Sequence, residues 1–242
     1  MSSRALSVLL GSGIAAGVLV PALLWADGAT RPGYSLWHHG ASQLGTGERG
    51  WLLMINFVLG GLLLAAFAAG VRRALRAGQG GGRGSTWGPI LLAATAAGLV
   101  VAGLVPTDPA LGYPPGQSNP GQPHIVTASG IVHQVAGFLL FAGLSAAAYV
   151  LAGRLGQTSR RWAVYSRLSG TLIIVFAFAA GIAYRLDTQG IWRPAPAGML
   201  EHLALLAGFC WAAAVAVHLL RHAGVHHTSR PSPEAHDTDA HQ

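Results

Sequence analysis

The chain has 242 residues, of which 52% are apolar and 10% are charged, and its formal net charge is +7. A soluble domain typically carries about a quarter charged residues, so this composition disfavours a soluble globular protein. The positive charges lie in short segments between apolar stretches. This pattern favours contact with anionic lipid head groups and predicts no binding to nucleic acid.

Six apolar stretches have the length of a membrane-spanning helix, which is about 20 residues. None of them contains Asp, Glu, Lys or Arg. A segment inside the bilayer must satisfy its own backbone hydrogen bonds, so each stretch predicts a helix. In chain order the predicted spans cover residues 6–26, 51–71, 87–105, 130–153, 168–184 and 203–220. The sequence therefore predicts an all-α, polytopic membrane protein with one six-helix transmembrane domain over residues 1–221.

The two ends of the chain invite other interpretations. Arg4, the apolar run after it and the small residues near Ala26 are also typical of a cleaved signal peptide. The run is longer than the usual core of about 7–15 residues, which favours a retained span. Residues 222–242 are polar and rich in Pro, Ser, Asp and His, so we expect a disordered, His-rich tail in the cytoplasm. Its histidines could bind a divalent metal, although a solvated tail is the favoured interpretation.

The arginines indicate how the six spans are oriented. Eleven lie on the side of the membrane that holds both termini: Arg4, Arg72, Arg73, Arg76, Arg83, Arg154, Arg160, Arg161, Arg167, Arg221 and Arg230. Four lie on the other side: Arg31, Arg49, Arg185 and Arg193. Because cytoplasmic loops carry the excess of Lys and Arg, both termini are predicted to be cytoplasmic, in a multi-pass protein of the plasma membrane.

Polar residues capable of chemistry gather near the predicted outer ends of the spans. A polar group in hydrocarbon costs several kcal/mol unless it is paired, so an ionisable residue there is a site candidate by default. The predicted outward-facing polar cluster consists of Ser42, Gln43, Asn56, Asp108, His133, Glu201 and His202. The inner halves of the spans, in contrast, are almost wholly Ala, Leu, Val and Gly.

Each charged or ionisable member of this cluster also has a purely structural interpretation. His133 could hold the third and fourth spans together through a hydrogen bond. Asp108 lies between two prolines and could cap a rigid turn. Glu201 begins a helix, where a carboxylate favours the positive end of the dipole. His202 follows Glu201 and points about 100° away around the helix, so the two side chains cannot aim equally well at one point.

The sequence gives only a weak signal for a metal site. Catalytic zinc takes three protein ligands, and His133 and Asp108 could supply two of them. The third would be one of His124, His38, His39 or His202. Because no pair in that set has a helical metal-ligand spacing, the sequence predicts no metal site and names no cofactor. The order of residues for a Ser-His-Asp triad is also absent.

Short motifs in order along the chain resemble the prokaryotic six-helix membrane family called domain of unknown function 998. They are Tyr34-Ser35, Ala41-Ser42-Gln43-Leu44-Gly45, Asn56-Phe57, Gly70-Val71-Arg72-Arg73, Pro106-Thr107-Asp108, His133 and Gly198-Met199-Leu200-Glu201-His202-Leu203. The family often has glutamate where this chain has Gln43 and arginine where it has His202. The resemblance implies the six-helix architecture and an outward polar cluster, but no activity. Ser42-Gln43-Leu44-Gly45 is also similar to the first loop of eukaryotic DRAM-like proteins.

The sequence leaves three functions open. The leading one is a non-enzymatic membrane protein that binds a lipid head group or a small polar ligand in an outward-facing pocket. The second is an enzyme, possibly metal-dependent, that modifies lipids at the outer leaflet. In it His133 would be ligand or base, Asp108 ligand or orienting group, and Glu201 acid–base.

The third function is that of an assembly or structural partner of other membrane proteins. Small residues at four-residue spacing allow close helix approach and could form a homo-oligomer. They are Gly13 and Gly17, Ala94 and Gly98, and Ala177 and Gly181. The sequence does not name a ligand, a catalysed reaction, a direction of transport or an oligomeric state.

Overall fold

The computed structural model describes residues 3–77, 82–116 and 126–228. Its six α-helices are α1 (Ser3–Thr30), α2 (Gly50–Ala77), α3 (Arg83–Leu104), α4 (Ala128–Leu155), α5 (Arg160–Thr188) and α6 (Ala197–Thr228). All six are long and apolar enough to cross a membrane. The chain is a multi-pass membrane protein, and the prediction of an all-α fold with six transmembrane helices is confirmed.

The helices extend beyond the predicted spans, most clearly at α5, which begins at Arg160 rather than 168. Hydropathy follows the hydrocarbon core only, whereas helical hydrogen bonding continues into the interface. Arg160, Arg161 and Arg167 therefore lie within α5, not in a loop. Helix α6 runs to Thr228, past the predicted end of the domain at residue 221. Residues 229–242, with His236 and His241, lie outside the described residues, so the disorder of the tail stays a prediction.

The helices form a closed ring in chain order. Each helix packs against the next along the chain, and α6 returns to α1. Across the ring, α4 and α2 also contact α6. One end of the ring carries the connections α1–α2, α3–α4 and α5–α6, and we call it the loop end. The other, where α1 begins and α6 ends, we call the termini end.

Near the termini end the bundle is closely packed. Its core includes the fully buried Leu64, Phe67, Leu151 and Trp211. A second apolar cluster, including Val20, Phe57 and Phe209, continues towards the loop end. Apolar contact between complementary surfaces therefore holds the helices together along most of their length.

Two of the three small-residue pairs are used for packing within the chain. A Cβ atom on Gly17 would lie 2.6 Å from the carbonyl oxygen of Phe209 on α6, and one on Gly98 would lie 2.8 Å from that of Ala136 on α4. These glycines let backbones approach closely. A role in homo-oligomer formation stays a prediction.

An ion-pair cluster fastens the loop end. Asp27, in the last turns of α1, pairs with Arg31 and, at 2.7 Å, with Arg49. Arg31 is nearly buried and also donates to the carbonyl of Thr46 (3.3 Å) and the hydroxyl of Tyr113 (3.5 Å). The cluster therefore joins α1 to the first loop and to the α3–α4 connection.

Candidate functional site

The first loop is fixed by a small group of aromatic rings. Tyr34, His39 and Tyr113 pack with ring centroids 5.3–5.5 Å apart. The Tyr34 hydroxyl donates to the carbonyls of His39 (2.9 Å) and Gly40 (3.0 Å). The ring of His39 accepts from the Ser35 amide through Nδ1 (2.9 Å) and donates through Nε2 to the Leu111 carbonyl (3.1 Å).

These contacts are consistent with a neutral His39 ring and a protonated Tyr34 phenol. Burial lowers the pKa of His39, in accord with a neutral ring whose two nitrogens already serve as one acceptor and one donor. Burial, and next the nearby charge of Glu201, raises the pKa of Tyr34, so its phenol keeps its proton. The aromatic group positions the 3₁₀-helix Ala41–Gly45, which carries Ser42 and Gln43.

A cavity of about 370 Å³ opens beside this 3₁₀-helix, at the loop end between α4, α5 and the start of α6. Polar side chains from five segments line it: Ser42, Gln43, Thr107, Asp108, His133, Gln134, Tyr184 and Glu201. Its apolar wall includes Phe141 and small residues of α4 and α5. Five of the seven predicted site residues therefore meet in one cavity.

Gln43 bridges the first loop and the α3–α4 connection. Its Nε2 donates to the Asp108 carbonyl (3.0 Å) and its Oε1 accepts from the Ala110 amide (3.1 Å). Both ends of the amide are thus used, and the side chain serves mainly to hold the cavity wall.

Asp108 fastens the start of α4. Its carboxylate accepts from the hydroxyl of Thr127 (2.6 Å) and from the amide of Thr127 (3.1 Å). The hydroxyl of Thr127 in turn accepts from the amide of Gly130, as a helix N-cap does. Asp108 therefore has a structural role at the start of the neighbouring helix, and it also lines the cavity.

His133 joins α3 and α4. Its Nδ1 lies 2.7 Å from the carbonyl of Val105, so this nitrogen carries the proton and donates it to the hydrogen bond. The ring is buried and makes no hydrogen bond with the carboxylate of Asp108. The expected structural role of His133 is thus present, and the ring also forms part of the cavity wall.

Glu201 lies where α6 meets the first loop. Its Oε1 accepts from the amide of Ser42 (3.3 Å), and the side chain is only partly buried. Glu201 brings a carboxylate from α6 to the cavity wall. This acid is therefore placed to take part in binding a ligand.

Two predicted site residues lie outside the cavity. Asn56 donates to the carbonyl of Val20 (3.1 Å) and so ties α2 to α1 within the bundle. The Nδ1 of His202 donates to the carbonyl of Gly198 (2.7 Å), and its ring packs edge-on against Trp25. Its direction differs from that of Glu201, as the helical rotation of 100° requires.

The family model described as a protein of unknown function, DUF998, matches residues 14–218, from α1 into α6. The chain belongs to this family. The predicted resemblance is thus confirmed, and similarity to DRAM-like proteins stays a prediction. No curated protein and no solved structure matches the chain.

Several features of the site in this DUF998 protein escape prediction from the sequence. Gln134, Tyr184 and the open glycines Gly137 and Gly181 line the cavity. A smaller cavity of about 270 Å³ lies between α2 and α3 and shares Ser42 and His133 with the first. The signals were weak, because glycine in a span usually indicates close packing and Gln134 is a single polar residue.

A buried carboxylate beside the cavity was also missed. The carboxylate of Asp187 is fully buried at the end of α5 and accepts from His38 Nε2 (2.8 Å) and the Ala195 amide (2.7 Å). Arg193 Nε lies 3.7 Å from its second oxygen. These contacts join the first loop to the α5–α6 connection, which steadies the wall beside Glu201.

The candidates for a metal site are dispersed. In the part of the chain that the structure describes, no three His, Cys, Asp or Glu side chains form a group that could hold a metal ion. His38 binds Asp187, while His39 and His202 bind main-chain carbonyls. His124 lies outside the described residues.

Proposed function

We propose that this protein is a non-enzymatic protein of the plasma membrane that binds a lipid head group or a small polar molecule in the loop-end cavity. In this proposal the loop end faces the outside of the cell and both termini are cytoplasmic.

The cavity is the observation that carries the proposal. Its volume of about 370 Å³ lies within the range of small-molecule sites, about 300–1,000 Å³. Glu201, Gln134 and Tyr184 offer a carboxylate, an amide and a phenol from separate helices. Such convergent polar groups on an otherwise apolar wall are typical of a binding pocket rather than of a packing defect.

The ligand can be sought by purifying the protein in nanodiscs cut from its own membrane, followed by mass spectrometry of co-purifying molecules. Glu201→Gln keeps the shape of the side chain and an oxygen that can accept from Ser42, but it removes the charge. Glu48→Gln is the control, because Glu48 is an exposed acid in the first loop that does not line the cavity.

We expect wild type and Glu48→Gln to retain the same molecule at a fixed ratio to protein, and Glu201→Gln to lose most of it. Identical sets of molecules in all three samples, with identical thermal stability, would contradict the proposal.

The orientation has its own test. A reporter enzyme that is active only outside the cytoplasm should be active when fused after Gln117 and silent when fused after Gln79. The reverse pattern would mean that the loop end faces the cytoplasm.

A further inference from the structure

The cavity is open sideways, between α4 and α5. Deeper in the membrane these helices are in contact, because the hydroxyl of Ser145 donates to the carbonyl of Gly170 (2.8 Å). Nearer the loop end, a Cβ atom on Gly137 of α4 or on Gly181 of α5 would meet no other atom within 4 Å. Both glycines line the cavity, and Gly181 is exposed on the bundle surface. The open space beside these two cavity-lining glycines therefore forms a lateral opening between the two helices towards the loop end.

The surroundings of this opening are apolar. Phe138, next to Gly137, is 69% exposed, and Phe178, next to Ala177, is 72% exposed. Both lie on transmembrane helices, so their exposed rings contact acyl chains in a bilayer. A molecule in the opening would have hydrocarbon on its outer side and the polar cavity on its inner side, which is the arrangement an amphiphile requires.

The charge of the cavity selects among amphiphiles. Asp108 and Glu201 line it, and among the described lining residues there is no arginine, while the chain contains no lysine. His133 is the nearest candidate cation, and its ring already donates through Nδ1 to Val105. Coulombic attraction is stronger at a partly buried site than in water. The cavity therefore complements a cationic head group and repels an anionic one.

An aromatic ring adds to this preference. Tyr184 lines the same cavity, and the face of a tyrosine attracts ammonium groups. Taking these observations together, we propose that the ligand is a membrane lipid whose head group carries an ammonium group, and that it enters from the bilayer between α4 and α5. The inference rests on the function proposed above and specifies its ligand.

The lateral opening can be closed without disturbing the fold. Gly181→Leu places a side chain in open space at the opening. Gly153→Leu is the matched control, because Gly153 is also an exposed glycine of a transmembrane helix with no atom within 4 Å of its Cβ position, but it lies near the termini end. A melting temperature of each variant close to that of wild type confirms that the fold is intact.

Binding is measured by native mass spectrometry on the purified protein. The probes are dioleoyl phosphatidylethanolamine, dioleoyl phosphatidylglycerol with the same chains, and soluble phosphoethanolamine. We expect the ethanolamine lipid to bind at least about tenfold more tightly than the glycerol lipid, the effect of one charge-assisted hydrogen bond. Glu201→Gln should remove this preference, while Glu48→Gln should retain it. Gly181→Leu should abolish saturable binding of the lipid, and Gly153→Leu should not.

The outcomes separate this inference from the proposed function. If soluble phosphoethanolamine binds as tightly as the lipid and Gly181→Leu changes nothing, the cavity binds a polar ligand but the lateral entry is wrong. If both lipids bind equally, the preference for ammonium is wrong. If no probe binds and no molecule co-purifies, both the inference and the proposed function are wrong.

Discussion

The two halves of the bundle follow opposite rules. Near the termini end, residues such as Phe67, Leu151 and Trp211 are fully buried and the helices pack closely. Near the loop end, carboxylates such as Asp27 and Asp187 are held by specific partners, and a cavity lies between α4, α5 and the start of α6. The half near the termini end stabilises the fold by contact between apolar surfaces. The half near the loop end is less closely packed and has space for polar groups.

Glycine shows the difference most clearly. Gly17 and Gly181 both belong to a small-residue pair with four-residue spacing. A side chain on Gly17 would collide with α6 at 2.6 Å, whereas one on Gly181 would meet open space. The same sequence signal therefore produces a tight interface in one half and a cavity wall in the other.

The largest expected effect concerns the closely packed half. Phe67→Ala removes a fully buried ring and should lower the free energy of unfolding by about 3–5 kcal/mol. Phe141→Ala is the control, because Phe141 is partly buried and lines the existing cavity. Its loss enlarges a space that is already open, so we expect a clearly smaller decrease. Equal losses, measured by denaturant titration in mixed micelles, would contradict the contrast between the halves.

A smaller effect is expected from adding atoms instead of removing them. Gly17→Leu would force α1 away from α6 and should cost about 1–3 kcal/mol through overpacking. Gly181→Leu should leave the melting temperature almost unchanged. A melting temperature that falls as far for Gly181→Leu as for Gly17→Leu would mean that α4 and α5 are in contact at the loop end.

The smallest effect is a dependence of stability on pH at the loop end. Because the pKa of His39 is lowered in the folded protein, the unfolded chain takes up the proton first as the pH falls. The stability from neutral His39 is complete above the ordinary pKa of about 6.5 and is lost as the pH falls towards the folded pKa. Protonation would also convert Nδ1 from an acceptor for the Ser35 amide into a donor.

His39→Gln isolates this effect. The Gln amide can accept from Ser35 and donate to Leu111 but does not titrate, while the neighbouring His38 and Asp187 are unchanged. When the pH is lowered from 7.5 to 5.5, the melting temperature of wild type should fall further than that of His39→Gln. Parallel curves for the two proteins would show that His39 does not couple protonation to folding.

Much of the fold is predictable because each membrane span must be apolar and satisfy its own backbone. The six spans can therefore be located one at a time, without knowing their neighbours. The start of α5 could not be located in this way. Arg160 and Arg161 are helical but lie beyond the hydrocarbon core, where the residues of a helix need not be apolar.

The site was predictable only in part. Asp108, His133 and Glu201 can be recognised singly, because an ionisable group near a span is costly unless it has a partner or a task. Which of them share a cavity depends on helix rotation and on neighbouring helices. Asn56 turns towards α1 and His202 towards Trp25 for that reason.

The most direct test of the central claim is the accessibility of two serines from outside the cell. In a Cys210→Ala background, which has no other cysteine, Ser42→Cys lies in the cavity wall, while Ser145→Cys replaces a buried serine that binds Gly170. A membrane-impermeant maleimide is applied to right-side-out vesicles. The account predicts rapid labelling of Ser42→Cys and none of Ser145→Cys. Labelling of Ser42→Cys only in inverted vesicles, or equal labelling of both positions, would contradict an outward-facing cavity above a closed bundle.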